Sequence, residues 1–214
     1  MIETIAIVET AMNILRPLRH FVRAVLLLLA ALLLTPLPAQ AADVFDFIPL
    51  GGRTLLAKTF ASRPSANEVK ALLSAKHTPE EWLSYLQGHS KAIAGLKSLS
   101  DKELLTLADY LSHNMPLPAA SIPADPAKAN WDKLLPPDGR DFALEYCQSC
   151  HIITVVITQD KAKNFWLGTM HKPSHIQIKL TEAQREALAS YLVINAAISI
   201  EQVPEELRAG GATY

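Results

Sequence analysis

Cys147-Gln148-Ser149-Cys150-His151 decides how this chain is read. The two thiols are its only cysteines, three positions apart, and a histidine directly follows the second. That spacing is the pattern of a c-type haem attachment site. Each thiol can add across one vinyl group of a porphyrin, and His151 then sits beneath the iron as proximal ligand. Two other chemistries use paired cysteines. A structural zinc site needs four ligands, usually from a second cysteine pair or a histidine pair, and there is no second cysteine pair. A thioredoxin-like redox pair follows a β-strand in a βαβ context. Here Gly139-Arg-Asp-Phe-Ala-Leu-Glu-Tyr146 precedes the motif and reads as helix. One covalently attached haem c is therefore expected.

The N-terminus agrees with that chemistry. Arg16, Arg19 and Arg23 form a basic flank, and residues 24–34 are an uncharged run of Leu, Ala and Val. Thr35-Pro-Leu-Pro then breaks the helix, and Ala39-Gln40-Ala41 offers small residues for cleavage before Ala42. Residues 1–41 read as a secretory signal peptide, with Met12 as a second candidate start. The apolar run is too short for a bilayer that needs about 20 residues, so no stable membrane span is expected after cleavage. The compartment expected is the periplasm. Removing residues 1–41 takes three arginines and two glutamates from 20 basic and 21 acidic side chains, leaving 17 and 19. A balance of −2 argues against nucleic acid or an anionic membrane surface as partner.

The remainder alternates helical runs with proline-rich breaks, and no strand pattern persists, so the fold class expected is all-α. Ser65-Ala-Asn-Glu68, Thr78-Pro-Glu-Glu81 and Ser100-Asp-Lys-Glu103 have the form of capping boxes that open helices. Six prolines between Met115 and Pro137 mark a linker. Further helices are expected at about 138–150, 161–170 and 181–196. The organisation read from these signals is a helical, haem-free half over 42–118, a proline-rich linker over 119–136 and a haem domain over 137–214. The halves look duplicated. Trp82-Leu-Ser-Tyr-Leu86 matches Trp166-Leu-Gly-Thr-Met170, and Leu107-Ala-Asp-Tyr-Leu111 matches Leu188-Ala-Ser-Tyr-Leu192. Asn114 matches Asn195, with two or three residues dropped from the second copy. The first copy has no cysteine and cannot hold haem covalently.

Residues 139–196 resemble a class I cytochrome c. Gly139 stands eight positions before Cys147 with Phe142 between them, and Tyr191 lies in the last helix. In that family a glycine of the first helix lets an aromatic of the last helix approach closely. The run Cys150-His151, Trp166-x-x-x-Met170, Leu180-Thr-Glu182, Tyr191-Leu192 is similar to the short cytochrome domains that accompany some sulfite and amine dehydrogenases. The resemblance implies a second axial ligand, and Met170 is the first candidate. His171 and His175 in the same loop are alternatives, as is Met115 in Asn114-Met-Pro-Leu-Pro118. Methionine would raise the potential relative to a second histidine. Residues 152–158, β-branched and apolar, suit a buried extended segment or a haem wall. Lys161 and Lys163 suit either a solvated face or an exposed haem edge that steers an acidic partner.

These readings converge on a periplasmic electron-transfer protein that carries one electron between redox partner proteins, an electron carrier rather than an enzyme. The alternatives are a haem-based small-ligand sensor, if no side chain fills the sixth position, and a cytochrome subunit of a periplasmic dehydrogenase. No Ser-His-Asp order, carboxylate pair or Gly-rich phosphate loop points to a hydrolase or nucleotide enzyme.

Overall fold

The computed structural model describes residues 43–175 and 177–208, and residues 44–208 belong to one compact unit. The expected signal peptide lies outside the described residues. Among those described, the secondary structure is entirely helical, in line with the all-α expectation, and no helix is long and apolar enough to cross a membrane.

Local chemistry sets most of the helix starts. The first helix, α1 (Gly52–Ala61), leads into α2 (Ala66–Ser74), α3 (Pro79–His89) and α4 (Asp101–Asn114). Each of the three capping boxes read from the sequence opens one of the last three. In each, the Ser or Thr oxygen accepts the N3 backbone N–H and the glutamate reaches back to the cap N–H, so two orphan donors are satisfied. The proline-rich stretch holds two 3₁₀ turns and a one-turn α5 (Trp131–Leu134). Then follow α6 (Gly139–Phe142), α7 (Thr154–Ile157), α8 (Lys163–Met170), α9 (Glu182–Asn195) and α10 (Glu205–Arg208). Thr181 and Gln184 form a further box that opens α9.

Two expectations change. The helix foreseen at 138–150 is α-helical only to Phe142. It then widens into a π-helix over Ala143–Cys147 and ends in a turn. Residues 152–158 are not extended. Ile153 and Ile157, one helical turn apart, are both buried in the same cluster, and Thr158 donates to the Thr154 carbonyl at 2.7 Å. Burying that i,i+4 pair outweighs the β preference of the branched side chains, which is a weak prior.

The two halves repeat one packing scheme. Helices α1 and α3 pack on α4, as α6 and α8 pack on α9, and α4 packs against α9. Where α1 meets α4, a Cβ on Gly52 would collide with the Cβ of Tyr110; where α6 meets α9, a Cβ on Gly139 would collide with the Cβ of Tyr191. Only a residue without a side chain permits either approach. The tyrosines then cross between halves: Tyr110 donates to the Pro136 carbonyl at 2.9 Å, and Tyr191 to the Pro49 carbonyl at 2.6 Å. Asp138 serves both starts, accepting from the Asp141 N–H of its own helix and from the Arg53 N–H of α1. Its carboxylate occupies the space that a Cβ on Gly51 would need. Between α4 and α9, Thr106 and Asn195 satisfy each other in the buried interface.

Two apolar clusters result. One gathers Leu55, Leu72, Trp82, Leu107 and Leu111 with Leu135, and Trp131 packs against it. The other gathers Phe142, Ile153, Trp166, Leu188 and Tyr191 with Ile48, and Phe45 and Phe47 pack against it. Each cluster thus borrows residues from the opposite end of the chain.

Candidate functional site

The π-helix places the motif. Its 148→143 backbone bond (Gln148 N–H to the Ala143 carbonyl, 3.2 Å) closes a wider ring than an α-turn does, and such widened turns recur at functional sites. Beyond it the chain reverses tightly, and the N–H groups of Cys150 and His151 both donate to the Cys147 carbonyl. Ser149 donates to the Tyr146 carbonyl, and the Gln148 side chain accepts from Ile153 N–H at 2.6 Å. The loop is therefore held at both ends. Its Cys147, Cys150 and His151 line a common cleft.

That cleft encloses about 500 Å³, open solvent at its mouth included. Val156, Trp166, Ile178, Leu188 and Leu192 give it apolar walls, so residues 152–158 contribute a wall as helix rather than as strand. The thiols differ. Both are free, Cys147 partly covered and Cys150 exposed. Burial, with a smaller push from Cys150, raises the Cys147 pKa to about 11. Contacts with Ser149 and then Gln177 lower that of Cys150, making it the readier nucleophile.

The candidate distal ligands are sorted by position. Met170, at the end of α8, and His175, in the 3₁₀ turn Pro173–His175, both line the cleft. The His151 and His175 rings lie 6.2 Å apart between centroids, with their planes 43° apart. Burial, then His151, lowers the pKa of His175. His171 is exposed and committed elsewhere: its Nε2 faces Glu182 at 3.0 Å and its Nδ1 the Leu167 carbonyl at 2.7 Å. Met115 caps α4 and is buried in the first cluster. Of the two lysines, Lys163 pairs with Glu186 at 2.7 Å and Lys161 lies over the Phe165 ring.

The residues present fit a covalently held porphyrin. The cleft is apolar, two unpaired thiols stand on one edge, and an imidazole stands beside them. Trp166 in the wall carries a buried indole N–H without an acceptor, but so does Trp82 in the other half. That feature belongs to the repeated scaffold and does not discriminate.

Superposing the repeat on the Gly52/Gly139 contacts extends it to residues that the sequence reading missed. Pro49-Leu-Gly-Gly-Arg53 corresponds to Pro136-Pro-Asp-Gly-Arg140. At the same offset, Phe60-Ala-Ser-Arg-Pro64 aligns in sequence with Cys147-Gln-Ser-Cys-His151. Phe60 is buried and its ring sits 4.4 Å from that of Trp131. The first half therefore carries the scaffold without a counterpart of Cys147, Cys150 or His151. The signal that would have revealed it is the shared Pro-x-x-Gly-Arg, 87 positions apart, an offset larger than that of the tryptophans because of intervening deletions.

No protein-family model, curated protein or solved structure matches the chain.

Proposed function

We propose that this chain is an exported electron-transfer protein, acting in the periplasm between redox partner proteins, with one haem c bonded to Cys147 and Cys150. The observation that carries the reading is the meeting of both free thiols and His151 on the edge of one apolar cleft. Haem held there would supply a reversible one-electron couple. Each thiol would contribute sulfur to one vinyl carbon and hydrogen to the other, an addition that needs no oxidant. His151 would hold the iron, and the turn that hydrogen-bonds to the Cys147 carbonyl would fix the imidazole relative to the thiols. The walls from Val156, Trp166, Ile178 and Leu188 would keep water from the ring, which tunes the potential through local dielectric.

The test is expression of the full chain with haem-maturation machinery, followed by intact mass and visible absorption. The expected product is heavier than the processed polypeptide by one haem and has the sharp reduced bands of a low-spin cytochrome. Replacing both Cys147 and Cys150 with Ser should give colourless protein. A wild-type product with bare polypeptide mass would overturn the proposal.

A further inference from the structure

We propose that His175, rather than Met170, occupies the sixth coordination position opposite His151. The inference rests on the haem reading above and deepens it by naming the second axial ligand. Two metal–imidazole bonds of about 2 Å each, plus the reach from each ring nitrogen to its ring centre, span about 6 Å. The His151 and His175 centroids are 6.2 Å apart across the same cleft. That separation is the one that an iron bonded to a nitrogen of each ring would set. The 43° between the planes is compatible with two imidazoles on a common axis, because rotation about that axis leaves both nitrogens in place.

The surroundings of His175 favour the same assignment. Its Nδ1 lies 3.2 Å from Ser174 Oγ, which orients the ring and leaves Nε2 for the metal. Histidine ligands are generally held through their second nitrogen in this way. The loop that carries it is braced at both ends by one side chain: Arg185 donates from Nη1 to the Met170 carbonyl and from Nη2 to the Ile178 carbonyl, each at 2.8 Å. His171, in the same loop, is held away by Glu182.

Met170 has a packing role that needs no iron. It is 7 % exposed and belongs to the second apolar cluster. Its counterpart in the first half, Leu86, is fully buried in a copy that lacks both thiols. A large apolar side chain is therefore required at that point of the scaffold whether or not haem is present. A thioether serves as flexible filler there.

The experiment reads the ferric and ferrous spectra of the wild-type holoprotein and of His175→Ala and Met170→Leu, each matured with haem. For the wild type we expect a six-coordinate, low-spin ferric spectrum without the near-infrared band that a methionine sulfur gives. His175→Ala should turn largely high-spin and bind carbon monoxide when reduced, and added imidazole should restore the low-spin form. Met170→Leu should stay low-spin. The proposal is overturned by a wild-type methionine band, by a five-coordinate wild type, or by low-spin iron persisting in His175→Ala. If His175→Ala fails to mature, His175→Met decides: it should gain the near-infrared methionine band that the wild type lacks, and a His175→Met product without that band overturns the proposal. Wild-type protein without haem would instead remove the functional reading itself, so the two failures are told apart by mass.

Discussion

Two glycines and two tyrosines define the scaffold at the scale of single residues. Gly139 is legible in the sequence because it stands at a fixed distance before the thiols, and Tyr191 because it lies in the last amphipathic run. Gly52 and Tyr110 make the same contact but carry no cysteine motif to draw attention to them. The cost of filling such a contact is steric and lies in the helix crossing, not in the backbone angles of the glycine. Gly139→Ala places a methyl against the Tyr191 Cβ and the Ala187 carbonyl, both parts of α9 that a rotamer change cannot move. Overpacking of this kind typically costs about 1–3 kcal/mol. Urea denaturation of Gly139→Ala should therefore show a lower midpoint with an unchanged slope. An unaltered midpoint would mean that α6 and α9 are not closely packed there. Gly88 offers the control, since nothing lies within 4 Å of its would-be Cβ.

Helical elements divide into those whose start is written locally and those shaped by tertiary contacts. The capping boxes at Ser65, Thr78 and Ser100 could be read directly, because cap and glutamate are three residues apart and need nothing else. The π-helix of residues 143–147 and the helical turn at 154–157 could not. One depends on where the thiol loop must reverse, the other on which face of Ile153 and Ile157 meets the second cluster. The connection from α8 to α9 is of the second kind. Arg185 is one more charged residue of an amphipathic helix in the sequence, yet in the fold its guanidinium gathers two carbonyls from either end of that connection. Arg185→Met keeps the aliphatic bulk and removes both bonds. Hydrogen bonds from charged groups are worth roughly 1.5–3 kcal/mol. Amide exchange should accelerate through residues 171–180 in this variant, while α4 and the first cluster keep wild-type protection. Uniform acceleration across the chain would show a global rather than a local effect.

The proline-rich stretch looks like a boundary in the sequence, but the whole unit shares side chains across it. Trp131 and Leu135, just before the second copy, pack into the first cluster, while Phe45, Phe47 and Ile48, just before the first copy, pack into the second. The tyrosine bonds run the same way, each hydroxyl reaching the turn that opens the other half. Composition could not reveal this exchange, because a proline-rich stretch reads the same whether it floats or is packed. The exchange makes the first half part of the folding unit of the second. Residues 137–214 alone would lose Ile48, whose full burial is worth roughly 1.5–3 kcal/mol, and the Tyr191 bond, worth about 1 kcal/mol. They would also expose the face of α9 that carries Asn195 and packs on α4 in the whole chain. These losses are a large share of a domain stability of about 5–15 kcal/mol, and a fragment of that length starts near the lower end. The fragment should unfold without a cooperative transition in urea. The chain from residue 42 on should unfold in a single transition seen alike by far- and near-ultraviolet circular dichroism. A cooperative fragment with wild-type stability would show that the second half folds by itself and that the shared side chains are incidental to it.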